Sequence, residues 1–236
     1  MGGWAAGPMV AFDTETTGLD VETARIVTAF LGDGSAGDLS WLVDPGVAIP
    51  GEATAIHGIS TTEAQTRGTA AVDGIGEIAA ALAKALAAGI AVVTYNAPYD
   101  FTVLDRECLR YGLPSLLERL GPSLATVVDP LVLDRHLDRY RPGGRKLSDA
   151  AQVYGVLLLG AHDARSDALA ALGVARSLAE RYPAIAVMAP QELHELQVGA
   201  ARDQAANFQA YLRRQGNAER VVDGSWPLKP PPNSAP

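Results

Sequence analysis

A short apolar run, Met9 to Phe12, leads into Asp13-Thr14-Glu15, and the Thr16-Thr17-Gly18 that follows is turn chemistry, so the pattern predicts a strand ending on two carboxylates. Side chains repeat every two residues in a strand, which puts Asp13 and Glu15 on one face. Further strands are predicted over 25–31 and 38–43, the second closed by Asp44-Pro45-Gly46. The glycines of segment 32–37 fit G-x-G-x-x-G, the dinucleotide fingerprint, but that motif must open a helix. Here it opens Leu39, Trp41 and Val43, apolar at alternate positions, so it reads as a hairpin loop. Residues 49–60 read as a loop or short helix carrying His57. An Ala- and Leu-rich helix over 71–88 ends at Gly89, and 90–94 is an apolar strand of the fully buried kind. Pro98 suits the first turn of a helix running through Phe101, Leu104, Cys108 and Leu109 to about 111. A strand over 125–128, helices over 129–138 and 147–154, and a helix carrying Leu169, Leu172, Val174 and Leu178 to 181 come next. The last helix spans 190–214, with Leu193, Leu196, Ala200, Phe208 and Tyr211 on one stripe. A strand meander followed by alternating strands and helices implies an α/β architecture with a mixed sheet and helices against it.

At 236 residues and 48% hydrophobic composition, the chain can bury a full core, with one domain plus an appendage expected. A net charge of -8 argues against a general nucleic-acid coat protein, although an enzyme gripping a strand end needs only a local basic patch. The most basic stretch, 139–146, mixes Arg, Lys and Tyr with Gly and Pro, and reads either as a mobile loop able to touch phosphates or as a solvated one. Cys108 is the sole cysteine, which excludes an internal disulfide framework and a cysteine-rich zinc site and fits a reducing compartment. The Ala-rich segment 78–93 is interrupted by Lys84 and Gly89, and no basic region precedes an apolar one at the start, so a cytoplasmic protein without a membrane segment is expected.

The chemistry lies in the acids. Two carboxylates ~4 Å apart repel by roughly 4 kcal/mol at an effective dielectric of ~20, so a cation or a shared proton is the natural way to hold them. Asp100 falls in the first turn of its helix, at the sheet edge where open α/β sheets keep their sites; complementing the helix dipole is its plain reading. Asp167 falls near the start of a helix among small residues, a costly place for an acid unless it is paired or metal-bound. His162 stands five residues before it. Oxygen ligands with no Cys or His cluster select Mg²⁺ or Mn²⁺ over Zn²⁺. An imidazole, with its usual pKa of about 6.5, suits taking a proton near neutral pH.

The string Phe12 to Gly18, the Asp100 motif and the His162/Asp167 pair together resemble the DEDD superfamily of 3′-5′ exonucleases, in its histidine subgroup. The best-known bacterial relative in that subgroup is the proofreading subunit of the replicative DNA polymerase. The resemblance spans about residues 8–181. Asp163 occupies the position where a tyrosine branch of the superfamily carries Tyr. The second motif departs from the usual His-Asn-Ala as Tyr95-Asn96-Ala97, with Tyr99 where Phe is common, which touches substrate details and removes no carboxylate. The resemblance implies an RNase H-like fold with a mixed five-stranded sheet flanked by helices. It implies Asp13, Glu15, Asp100 and Asp167 as ligands of two Mg²⁺ or Mn²⁺ ions, with Asp13 bridging, and His162 as general base. It also implies that Thr16, Thr17, Gly18 and Leu19 hold the terminal nucleotide, with His57 and Asn96 lining the same pocket. His136 and His194 read as surface residues.

The domain organisation expected is an exonuclease domain over 8–183, a C-terminal helical extension over 184–222 and a Pro-rich, extended or loose tail over 223–236. The helix stripe either packs back on the domain or contacts a DNA polymerase or a second copy of the chain. The expected activity is release of nucleoside 5′-monophosphates from nucleic acid 3′ ends, with single-stranded DNA favoured and a role in replication, proofreading or repair. The alternatives are an exoribonuclease trimming RNA 3′ ends and a non-catalytic binding module; the module would ordinarily lack a carboxylate, and none is lacking.

Overall fold

β1 (Met9–Thr16), β2 (Ile26–Gly32) and β3 (Leu39–Asp44) form an antiparallel meander in the computed structural model, which describes residues 3–121, 124, 126–160, 162–217 and 219–231. The glycine-rich segment between β2 and β3 is a hairpin loop, as its pattern predicted. Asp38 Oδ1 accepts from the N–H groups of Asp33 and Gly34, both at 3.0 Å, and anchors the turn. Two short helices, α1 (Gly51–His57) and α2 (Thr61–Arg67), lead to β4 (Thr69–Ala70) and the long α3 (Ala71–Ala87). The chain returns through β5 (Ala91–Val93), parallel to β1, into α4 (Ala97–Arg110). Then come α5 (Leu116–Leu120), β6 (Val127–Val128) parallel to β5, α6 (Pro130–Leu137), α7 (Leu147–Tyr154) and α8 (Ala164–Arg181). α9 (Pro183–Ala186) and α10 (Pro190–Arg214) close the helical part.

The sheet runs β4-β3-β2-β1-β5-β6, one strand more than the five expected. The addition is β4, two exposed residues too short to carry an alternation signal. It pairs with Val43 and Asp44, and the approach is so close that a Cβ on Gly68 would lie 2.6 Å from the Asp44 nitrogen. α2 was also not visible in the pattern, because only Ala64 is buried; Ser60 starts it by accepting from Glu63 N–H. The expected strand start at Ala125 and the tail from 232 onward lie outside the described residues.

The period-two alternation of β1 divides the core. Phe12 packs with Ile75, Ile78, Leu82 and Leu104 on the α3/α4 face, its ring 6.1 Å from Phe101 in an edge-on contact. Ala11 faces the other way, with Phe30 and with Ala168, Leu172 and Leu178 of α8. Asp13 and Glu15 therefore share the α8 side of the sheet, and Thr14 shares the α4 side.

The near half of the α10 stripe packs back on the domain. Leu193, Gln197 and Ala200 are buried; Gln197 Oε1 accepts from Asp129 N–H at 2.7 Å and its Nε2 donates to Val127 O at 3.0 Å. The far half stays open, with Phe208 and Tyr211 each 49% exposed and stacked on one another. The tail through Pro230 is not loose. Lys229 N–H donates to Thr102 Oγ1 at 3.1 Å, and the buried Arg106 donates to Pro230 O at 2.7 Å, so the tail supplies acceptors to a cation that is cut off from water. Trp226 is buried as well, and His194, expected on the surface, is half-buried with its ring 5.3 Å from the indole. His136 is exposed, as read. Among the described residues no helix is long and apolar enough to cross a membrane.

Candidate active site

β5 ends opposite Ala11, while β1 runs on to Thr16, so Asp13 and Glu15 project past the end of the parallel strand. α4 begins in that space. Asn96 adopts a left-handed conformation (φ 68°) that turns the chain out of β5, and Pro98 sits in the first helical turn. One turn in, Asp100 is buried, its Oδ1 accepting from Thr14 N–H at 3.0 Å and from Thr14 Oγ1 at 2.7 Å. Thr14 thus clasps Asp100 from between the two strand acids. That role was not read from the sequence, although the alternation already aims residue 14 at α4.

The start of α8 supplies the rest. Asp163 caps the helix, accepting from Ser166 N–H at 3.0 Å and Ser166 Oγ at 2.8 Å. Asp167 lies one turn further on, within electrostatic reach of Glu15. Its Oδ2 accepts from His162 N–H at 3.2 Å, and its Oδ1 is buried with no hydrogen-bond partner. His162 is exposed and holds φ 71°, uncommon outside glycine.

These acids feel one another. Burial, then Asp100, Glu15, Asp167 and Asp163, push the Asp13 carboxyl well above its ordinary range, even though part of its surface remains open to solvent. Burial, then Asp167, Asp100 and Asp163, raise Glu15 to about 7. Burial raises Asp100 to about 7 against the opposing Thr14 hydrogen bonds, and burial raises Asp167 against the His162 N–H. Acids from three separate regions of the chain thus come within electrostatic reach of one another, and Asp163 joins them as a fifth that the sequence pattern did not single out. Among the described residues, no three His, Cys, Asp or Glu side chains are gathered tightly enough to cage an ion as they stand. The donor set nonetheless fits a hard divalent cation in its chemistry: all oxygen, mutually repelling, with one oxygen unpartnered.

These raised values give stability a signed pH dependence. Unfolded carboxyls titrate near pH 4, but Glu15 and Asp100 in the folded chain do so at about 7, so the native state binds more protons between those values and loses stability as pH rises through them. The metal-free protein is expected to melt about 5 °C lower at pH ~8 than at pH ~5 in this respect, with Mn²⁺ removing the slope. A melting temperature indifferent to Mn²⁺ across that window would count against shared ion binding.

The turn after β1 is tied to α4. Tyr99 Oη lies 2.5 Å from Thr16 Oγ1 and donates to Gly18 O, so the hydroxyl that replaces the common Phe braces the Thr16–Gly18 turn. Burial raises that phenol to about 12. Thr17 N–H donates to Arg25 O at 2.9 Å, and Leu19 beyond it is 91% exposed. Asn96 is exposed at the mouth of α4. His57 Nδ1 accepts from Ile59 N–H at 3.2 Å while Nε2 is buried and unpartnered; burial lowers its pKa, partly offset by the nearby Thr16 backbone. The basic loop is braced rather than free. Arg141 Nη2 and Arg145 Nη1 donate to the buried Asp134 at 2.9 and 2.6 Å, so two of its cations neutralise a core acid and Arg139 projects.

Asp129 also escaped the sequence reading. Fully buried, its carboxylate accepts from the N–H groups of Asn96 (3.0 Å), Ala97 (3.0 Å) and Leu131 (2.9 Å) and from Trp226 Nε1 (3.2 Å). It joins the start of α4, the cap of α6 and the tail. The Asp129-Pro130 pair, a cap residue before a first-turn proline, was the available signal.

Comparison with known proteins identifies the family and the fold. The RNase_T exonuclease family model matches residues 10–175. An uncharacterised exonuclease of Escherichia phage 186 is 34% identical over 186 residues, covering 75% of this chain and 91% of the phage protein. A DNA polymerase III subunit epsilon-like protein of Rhodobacter capsulatus is 38% identical over 112 residues, 44% of this chain but 15% of that protein. Among solved structures, E. coli exonuclease I superposes with a TM-score of 0.63 at 20% identity, and exonuclease I of Methylocaldum szegediense with 0.61 at 24%. Both cover 75% of this chain, which in turn spans 42% and 41% of theirs. The fold is RNase H-like, and the chain belongs to the exonuclease family of the DEDD superfamily.

Proposed function

We propose that this chain is a metal-dependent 3′-5′ exonuclease that removes nucleoside 5′-monophosphates from single-stranded nucleic acid, DNA in preference to RNA. The observation that carries the proposal is the meeting of Asp13, Glu15, Asp100 and Asp167 from three regions of the chain, each raised in pKa, with Asp167 Oδ1 unpartnered. Those four carboxylates would hold two Mg²⁺ or Mn²⁺ ions, which, when bound, acidify a water and offset charge at the phosphate. Thr14 holds Asp100 in place, and the His162 N–H does the same for Asp167. The exposed His162 imidazole takes the proton of the attacking water as general base. The braced Thr16–Gly18 turn receives the terminal sugar, with the exposed Leu19 against its base and His57 and Asn96 at the sides.

The DNA preference is supported by the Thr16-Thr17-Gly18 string after Glu15 and by E. coli exonuclease I, solved with an oligothymidylate. A zinc-bound form of that enzyme exists, so Mg²⁺, Mn²⁺ and Zn²⁺ are to be compared directly. A proofreading partnership rests on the name of the Rhodobacter relative and is the second reading. The test uses 5′-labelled DNA and RNA oligonucleotides with Mg²⁺. A ladder shortening from the 3′ end, faster on DNA, is expected; label released first from the 5′ end, or no shortening of either, overturns the proposal. His162→Gln is expected to lower kcat by about 10²- to 10⁴-fold.

A further inference from the structure

A groove of about 840 Å³ opens beside the Thr16–Leu19 turn and runs between α6 and α10 toward the tail. Leu19, Asn96, Arg135, Arg139, Phe208 and Lys229 all line it. Arg135 and Arg139 are exposed and, among the described residues, neither makes an ion pair; Arg139 lies over the Tyr140 ring. The acids on the rim are engaged or weakly paired. Asp223 accepts from Ser225 N–H at 2.9 Å, and Asp203 lies 3.9 Å from Arg202. Phe208, left half-exposed together with Tyr211 where the near half of the α10 stripe packs down, lines this space.

Resting on the function proposed above, we infer that this groove holds the nucleotides upstream of the cleaved bond of a single-stranded substrate, with α10 and the tail as its outer wall. Unpaired cations that follow a strand and an exposed ring on which a base stacks are the two requirements of single-strand binding. Leu19, the last residue of the turn assigned to the terminal nucleotide, lines the groove. A strand leaving that turn passes Arg135 and Arg139, which meet its phosphates, and reaches Phe208.

The test separates this inference from the activity. Affinity is measured by fluorescence anisotropy with labelled oligothymidylate and Ca²⁺ in place of Mg²⁺, for wild type, Phe208→Ala and Arg135→Ala/Arg139→Ala, all exposed positions that leave the core intact. Phe208→Ala is expected to weaken binding by about five- to hundredfold. The double variant should lower the slope of log affinity against log salt by about 0.7 for each phosphate it no longer neutralises. In turnover, KM for the oligonucleotide should rise at least tenfold more than KM for the p-nitrophenyl ester of thymidine 5′-monophosphate, which occupies the terminal site alone. Unchanged affinity and salt slope in all variants, or equal loss on both substrates, overturns the groove even if the enzyme cuts DNA. Wild type that binds in this way yet cuts nothing overturns the activity and leaves the groove standing.

Discussion

Asp13→Asn is expected to reduce hydrolysis by about 10⁴-fold or more and to abolish the heat of a calorimetric Mn²⁺ titration. The substitution is nearly isosteric, so the β1 ladder and its pairing with Phe30 remain. What it deletes is a carboxyl whose charged form is disfavoured first by burial and then by Asp100, Glu15, Asp167 and Asp163. Removing it relieves that repulsion. The variant should therefore melt higher than wild type without metal, while wild type should overtake it when Mn²⁺ is added. A variant that is both inactive and unstable would point to misfolding instead, and one retaining more than about a hundredth of the wild-type rate would remove Asp13 from the reaction.

The second large effect is structural, at Asp129. Alanine there leaves the N–H groups of Asn96, Ala97 and Leu131 and the Trp226 indole without their acceptor, all in the interior. Each orphaned buried donor costs about 1–3 kcal/mol, and the set should cost about 3 kcal/mol or more, lowering Tm by about 10 °C. Asparagine is not a remedy, because its amide group would point a donor at donors. Both variants should also lose kcat, because Asn96 and Ala97 begin the helix that carries Asp100. Thermal melts together with turnover at a temperature where the variant is still folded check this. An unaltered Tm would mean that the hub is not a support.

Much of this architecture is legible in the chain because two periodicities carry it. The alternation through β1 places Asp13 and Glu15 together, and the three-and-four spacing of Phe101, Leu104 and Cys108 places α4, with Asp100 in its first turn. α3, α7 and α10 start where the pattern sets them. What stayed hidden lacks periodicity. β4 is two residues long, and α2 buries one side chain. The polar clasps escape for another reason. Thr14 on Asp100, Asp129 on Asn96 and Ala97, and Arg106 on the tail join residues 86, 33, 32 and 124 positions apart, and no local pattern announces a partner at such distance. The brace on the basic loop stayed hidden because composition shows charge and not the buried Asp134 that pairs with Arg141 and Arg145.

The left-handed backbone at His162 bears on how its imidazole can be interrogated. Alanine there would delete the ring and also keep an unfavourable backbone geometry, so two effects would be mixed. Glycine adopts φ 71° without penalty, leaving the loop in place with a space where the side chain stood. On the general-base role proposed for His162, small free bases such as imidazole, supplied in the buffer, are expected to restore part of the rate to that variant, with an efficiency that tracks their basicity.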